Sequence, residues 1–220
     1  MRPESKGSSK RRLRRFFSSQ PLSQVGDIVH LDSREAHHLI KTLRHQVGDQ
    51  CLLTDGEGRE AIAVIESWDE SQVSLRIKQF EKSKMVSPGQ AQAQIRMFVS
   101  LAQRGKMDSI IEKAQELGVY EMIPVISAFT AFKVARDKQT SVLSRWKRIA
   151  QEAAKQSGCP HLLKIAPFVD FQSALNLILP DETALLFHPS AQAKSFLSWV
   201  KDLSSSKNTL KICGDRKSVV

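Results

Sequence analysis

The sequence predicts an α/β protein in two parts: a small β-rich domain, then a larger domain on an open, mostly parallel sheet. Three observations carry this reading. Residues 16–80 hold short apolar runs broken by turn residues. Residues 81–93 (EKSKMVSPGQAQA) lack apolar periodicity and include Pro88 and Gly89, the mark of a linker. From Gln94 onward, strand-like and helix-like segments alternate.

In the first part, residues 27–31 read as a strand. Asp32 is placed to cap a helix, with Glu35 three residues on and Ala36, Leu39, Ile40 and Leu43 at helical spacing. Val47, Gly48 and Asp49 end it. Strands at 51–54 and 59–66 flank Asp55, Gly56, Glu57 and Gly58, a hairpin signal. Val73, Leu75 and Ile77 alternate with polar residues and give one more strand. Several short strands with one helix predict a small barrel.

In the second part, residues 95–101 are nearly all apolar, as in a strand covered on both faces. Spacing predicts a helix over 107–117 that buries Ile110, Ile111, Ala114 and Leu117, with Gly118 as its left-handed cap. A strand follows at 122–126. The plainest helical stripe is 140–157, with Val142, Leu143, Trp146, Ile149, Ala150, Ala153 and Ala154 on one side; Gly158 and Pro160 stop it. A strand at 162–166, a helix capped by Asp170, a strand at 184–187, a helix over 191–203 and a strand at 209–213 complete the series. Sheets of this kind bind ligands beyond the carboxyl ends of their strands. Trp68, Trp146 and Trp199 are assigned to cores.

Hydrophobic residues make up 41% and charged residues 25%, an ordinary soluble composition. No apolar run approaches the roughly 18 residues of a membrane span. The 33 Lys+Arg against 23 Asp+Glu give a net charge of +10. Seven of those cations (Arg2, Lys6, Lys10, Arg11, Arg12, Arg14 and Arg15) fall within residues 1–15, beside the single acid Glu4. They predict a disordered basic arm that gains from polyphosphate by releasing counterions. A solvated tail and a short transit peptide are the alternatives. Cys51, Cys159 and Cys213 form no C-x-x-C pair, so neither a zinc site nor a disulfide framework is expected, and a reducing cytoplasm is the simplest home.

No dinucleotide-binding glycine loop, Walker loop, nucleophile elbow or H-E-x-x-H occurs. The chemistry falls to polar residues near strand ends. Gln103, Arg104, Gly105 and Lys106 set two cations around a glycine between a strand and a helix. That suits a phosphate-rich ligand, or is a solvated connection. Glu152 and Gln156 share a face of the long helix, where they bond a base edge or merely wet the surface. His188, between Phe187 and Pro189, lines a pocket or bonds its own loop. His37, His38 and His45 lack the cysteine or carboxylate partners of a metal set, so no metal is expected.

Five pieces, read in order, resemble the RsmE family of small-subunit rRNA methyltransferases: RRFFSSQPL, HHLIKTLRHQVGDQCLLTDGEG, SLAQRGKMDSIIEKAQELGVYEMIPVIS, RWKRIAQEAAKQSG and FHPSA. The similarity runs from about Arg15 to Gly214. It implies a PUA-like RNA-binding barrel at 16–80, then over 94–220 a SPOUT-type (α/β knot) parallel-sheet domain that acts as a homodimer. It implies methyl transfer from S-adenosylmethionine to N3 of a uridine in 16S rRNA, with that RNA or the small ribosomal subunit as partner. On matching positions, Arg104 and Glu152 are the catalytic residues, one supplying positive field and the other accepting or orienting a proton. Lys106 and Gln156 join Arg11, Arg12, Arg14, Arg15 and Arg44 as RNA-binding residues. His188, Pro189 and Gly214 are the cofactor-binding set.

The resemblance also has gaps. The family's long helix runs on to an arginine where this chain has Gly158, Cys159 and Pro160. Residues 127–130 miss the family's polar signature. Its Gly-Pro-Glu-Gly-Gly loop and later Leu-Arg-x-Glu-Thr segment are not matched after Gly214. The sequence therefore predicts a SPOUT domain lacking its C-terminal knot, with weak or no binding of S-adenosylmethionine. A derived RNA-binding protein without catalysis is one alternative. An unrelated enzyme with a nucleotide cofactor is another, but it requires a phosphate loop that is not visible.

Overall fold

The computed structural model describes residues 13–69, 72–81, 94–128, 130, 134–180, 182–187 and 210–214, and three hydrophobic cores organise these described residues. The chain divides into two units, Met1–Lys84 and Met85–Val220. Arg11 and Arg12, the linker beyond Glu81, His188 with Pro189, and Trp199 with the helix expected over 191–203 all lie outside the described residues. Among the described residues, no helix is long and apolar enough to cross a membrane.

In the first unit, β1 (Arg15–Phe17), β2 (Ile28–Leu31), β3 (Gln50–Thr54), β4 (Glu60–Trp68) and β5 (Val73–Phe80) form one sheet in the order β1-β3-β4-β5-β2. β1 runs parallel to β3 and the other pairs are antiparallel. With β1 and β2 at its edges, the sheet is an open half-barrel rather than a closed barrel. Alternation sorts its faces. Ala61, Ala63 and Ile65 of β4 and Val73, Leu75 and Ile77 of β5 are buried with Phe16, Leu39 and Leu53, while Ile62, Val64, Ser74 and Arg76 are less covered. Each large aliphatic side chain so withdrawn from water contributes about 2 kcal/mol. In the β3–β4 turn, Asp55 Oδ1 accepts from the N–H groups of Glu57 and Arg59 at 2.9 and 3.1 Å.

Asp32 caps α1 (Ser33–His37) as expected, accepting from the N–H groups of Arg34 and Glu35 at 3.0 and 2.9 Å. The helix then widens. His38–Thr42 form a π-helical turn closed by Leu43 N–H on the His38 carbonyl at 3.0 Å. Leu39 stays fully buried while His37, His38 and Lys41 face solvent. Trp68 is not in the core. A register shift in the β4–β5 pairing between Ile65 and Ser67 ends the inward alternation, and Trp68 is 44% exposed.

In the second unit, β6 (Ile95–Ser100), β7 (Glu121–Ile126), β8 (Lys164–Ile165), β9 (Val169–Asp170), β10 (Thr183–Phe187) and β11 (Leu210–Gly214) build a parallel sheet. Its order is β10-β11-β6-β7-β8, with β9 also paired to β7. Helices α2 (Arg104–Glu116) and α3 (Arg136–Ser157) cover one face, where Met107, Ile111, Ala114, Trp146 and Ala150 meet Val99 and Met122. On the other face Ala174, from α4 (Phe171–Asn176), meets Phe98, Ile123 and Val125. Neighbouring residues of β6 and β7 thus enter opposite cores, which explains their nearly continuous apolar sequence, broken at one end by the Arg96–Glu121 ion pair.

The helix ends follow local rules, with one correction. Gly118 takes φ 75°; its N–H reaches the Gln115 carbonyl at 3.1 Å and the Val119 N–H reaches the Ala114 carbonyl at 2.9 Å. That closure packs Val119 on the core in place of Leu117, which was expected inside and is 81% exposed. Gly158 ends α3 with φ 78°, and Asp170 caps α4 by accepting from Ser173 N–H at 2.8 Å.

Candidate active site

The register of the second sheet sets Phe187, Gly214, Val99 and Pro124 side by side across β10, β11, β6 and β7. All four strands run the same way, so Gly214 stands at their shared carboxyl edge between two strand ends. Of the expected cofactor set, Gly214 is the member within the described residues; His188 and Pro189 follow Phe187 beyond them.

From this edge, residues 101–103 lead into α2. The connection expected at 103–106 is in fact the first helical turn: α2 starts at Arg104, and the N–H groups of Lys106 and Met107 bond the Gln103 carbonyl at 2.9 and 3.1 Å. Gln103 makes no side-chain cap, so the positive end of the helix dipole meets the strand ends without one. A Cβ on Gly105 would meet nothing within 4 Å, so the space beside this backbone is open. Lys106 is exposed there.

Three hydroxyls passed over in the sequence sit at the same edge. Ser100 Oγ lies 3.2 Å from Ser127 Oγ, which is 3.3 Å from Thr130 Oγ1, and the Ser127 N–H donates to Thr130 Oγ1 at 2.7 Å. The available signal was positional: a serine ends β6 and another follows β7, the adjacent parallel strand. Asp170 ends β9 beside Ile126. Its carboxylate receives the Ser173 N–H and hydroxyl, each at 2.8 Å, and these bonds hold its pKa below the usual value. It is a capping anion and a weak proton acceptor.

Glu152 and Gln156 are not brought to this edge. Arg145 on α3 donates to both carboxylate oxygens of Asp108 near the start of α2. Near the other end of α2, buried Gln115 donates to the His161 carbonyl and accepts from the Leu163 N–H, both at 2.7 Å, just past the end of α3. The two helices therefore run side by side away from the strand ends. Glu152 lies two turns beyond Arg145, about 10 Å farther from the edge at 1.5 Å per residue. Its side chain is 54% exposed and 3.4 Å from Lys155 Nζ. Sharing a helix face was legible in the sequence; the level along that helix was not.

The basic residues of the first unit divide. Arg15, expected in a disordered arm, opens β1, and its Nη2 lies 2.5 Å from Glu60 Oε1 with both side chains about nine-tenths covered. The Leu52 N–H on the Arg14 carbonyl at 2.9 Å draws this segment into the sheet. Arg15 is thereby committed to the fold. Arg14 and Arg44 are exposed.

A family model described as an RNA methyltransferase domain matches residues 89–214, over half of the chain. The chain belongs to the RNA methyltransferase family. A second model, described as an RNA methyltransferase PUA domain, matches residues 31–78. Among curated relatives, Ribosomal RNA small subunit methyltransferase E of Bacillus subtilis is 24% identical over 198 residues, 88% of this chain and 75% of that protein. The protein of the same name from Synechocystis is 27% identical over 158 residues, 72% of this chain and 49% of its own length. Among solved structures, Ribosomal RNA small subunit methyltransferase E from Neisseria gonorrhoeae, bound to S-adenosyl methionine, aligns with a TM-score of 0.76 at 25% identity. The alignment covers 92% of this chain and 80% of that one. This RNA methyltransferase thus has the PUA-like plus SPOUT-type architecture of the RsmE proteins it resembles.

Proposed function

We propose that this RNA methyltransferase transfers a methyl group from S-adenosylmethionine to N3 of a uridine in small-subunit rRNA, acting as a homodimer in the cytoplasm. One observation carries the reading. Gly214, flanked by Phe187 and Val99, and the amino end of α2 converge on one carboxyl edge of a parallel sheet. Gly214 has no Cβ to obstruct a nucleoside-bearing donor, so this edge fits the cofactor; His188 and Pro189 are further cofactor-binding residues in this reading.

S-adenosylmethionine supplies an electrophilic methyl group when bound; the chain's residues do the rest. Uracil N3–H is a weak acid, and losing its proton puts negative charge on the ring. The α2 dipole, Arg104 and Lys106 stabilise that charge. Ser100, Ser127 and Thr130 offer hydroxyls to the base carbonyls. Glu152 is too far along α3 to take the proton within one chain, and Asp170 is held as a cap, so the proton passes to water. Arg14 and Arg44, with Arg11 and Arg12, contact phosphates.

The test is transfer of a labelled methyl group to purified small-subunit rRNA and to the assembled small subunit, with the modified base mapped. A labelled N3-methyluridine is expected. Label on another base, or on none, overturns the proposal.

A further inference from the structure

Beside Arg44, the first unit carries an exposed aromatic ring to which the proposed reaction assigns no role. Trp68 ends β4 with 44% of its area exposed, whereas Trp146 is buried in its core. Lys41 Nζ lies 5.8 Å from the Trp68 ring centroid, within cation–π range. Lys41 belongs to the π-helical turn His38–Thr42, and His37, His38 and Lys41 are all exposed. Three residues on comes Arg44, also exposed. It is the one non-glycine residue with positive φ, 57°, among the described residues. An L side chain is strained there unless its surroundings hold it.

The surroundings do hold it. The His45 N–H bonds the Leu39 carbonyl at 3.2 Å, the Gly48 N–H bonds the Ile65 carbonyl at 2.8 Å, and the Ile65 N–H bonds the Asp49 carbonyl at 3.0 Å. The first bond closes back on the π-helical turn, and the other two tie the segment after Arg44 to β4 at Ile65, three residues before Trp68. Three carboxylates close to this segment in sequence have partners among the described residues. Glu66 holds Arg76, Asp49 accepts from Gln46 N–H at 2.8 Å, and Asp69 accepts from Gln72 N–H at 2.9 Å. The rim presents the Trp68 ring with the Lys41 cation against it, and Arg44 exposed three residues along the chain.

We propose that this rim binds unpaired RNA, with one nucleobase stacked on Trp68 and the adjoining phosphates on Lys41 and Arg44. An exposed indole face takes a base only when that base is free of its helix, because duplex bases are covered by their neighbours. The flanking cations match the phosphates that such a strand carries and disfavour a cationic partner. The proposal rests on RNA being the substrate, and it assigns recognition to a splayed single-stranded nucleotide outside the target uridine.

The test uses the full chain with two labelled probes: a short unpaired oligoribonucleotide and a hairpin duplex of similar length, measured by anisotropy over a salt series. Trp68→Ala is expected to weaken binding of the unpaired probe about tenfold and leave the duplex unchanged, and Trp68→Phe to restore most of the loss. Lys41→Ala is expected to reduce the salt slope for the unpaired probe by about one. Melting midpoints of the variants, equal to the parent's, establish that the fold is kept. Trp68→Ala binding the unpaired probe like the parent, or losing both probes equally, overturns the platform and leaves the RNA reading standing. A parent chain that binds neither probe overturns both.

Discussion

Arg145 grips both carboxylate oxygens of Asp108, with Nη1 at 2.8 Å from Oδ1. This contact joins the middle of α3 to the first turns of α2. Together with Gln115 at the far end, it sets the level of one helix against the other and so keeps Glu152 away from Arg104.

The clamp is only partly covered, with side-chain exposures of 43% for Arg145 and 25% for Asp108. Its two-pronged geometry puts it at the upper end for surface pairs, a coupling of about 1 kcal/mol. A double-mutant cycle of Asp108→Ala and Arg145→Ala in urea measures that figure. A coupling near zero means that packing alone sets the helix level.

Gln115 is a stronger tie because it is buried. Gln115→Leu keeps the volume but leaves the Leu163 N–H without its partner and removes one of the donors to the His161 carbonyl, which keeps the Cys159 thiol at 3.3 Å, a cost of roughly 1–3 kcal/mol. Leu117→Ala, two residues away and exposed, is expected to cost less than about 0.5 kcal/mol. Urea midpoints of the two variants decide the ranking. Equal losses would show that the amide bridges contribute little.

Arg104 and Glu152 separate in activity. Arg104→Ala is expected to reduce methyl transfer about 100-fold, as for loss of a group facing developing negative charge. Glu152→Gln is expected to stay within about twofold, because its carboxylate lies roughly 10 Å down α3 from the level of Arg145. Single-turnover rates on the same RNA measure both. A collapse in Glu152→Gln would restore the carboxylate as proton acceptor and require it to arrive from a second subunit.

Burial pushes the Cys51 thiol up to about 12, so at pH 8 only about one molecule in ten thousand holds the thiolate. Cys51 is therefore expected to resist alkylation in the folded protein and to react once the first unit unfolds. Mass spectrometry after pulse labelling along a urea series reads this directly. Rapid native labelling of Cys51 would contradict its burial.

Asp170 supplies a pH test with a defined sign. Its folded pKa lies below the usual 3.8, chiefly through the Ser173 N–H and hydroxyl. A depressed carboxyl stabilises the fold fully above its unfolded pKa and loses that contribution as pH falls through the lower folded value. The melting difference between the parent and Asp170→Ala is expected to be flat from about pH 7 to 5 and to shrink below about pH 4. A difference that widens on acidification would reverse the assignment.

What the sequence determined by itself was local or periodic. The alternation of β4 and β5, the Asp32 and Asp170 caps, the glycines ending α2 and α3, and the mostly apolar β6 all follow from neighbouring residues. So did the family, through long colinear motifs. Only the tertiary structure decided the rest. Glu60 claims Arg15 from 45 positions away, Ser100 meets Ser127 because β6 and β7 are adjacent and in register, and Trp68 turns outward past a register shift. Glu152 sits two turns beyond Arg145 on α3, a level that its helical face did not reveal. Periodicity reports which way a side chain points. How far along it lies, and beside what, depends on strand order and helix packing, which no short window of sequence contains.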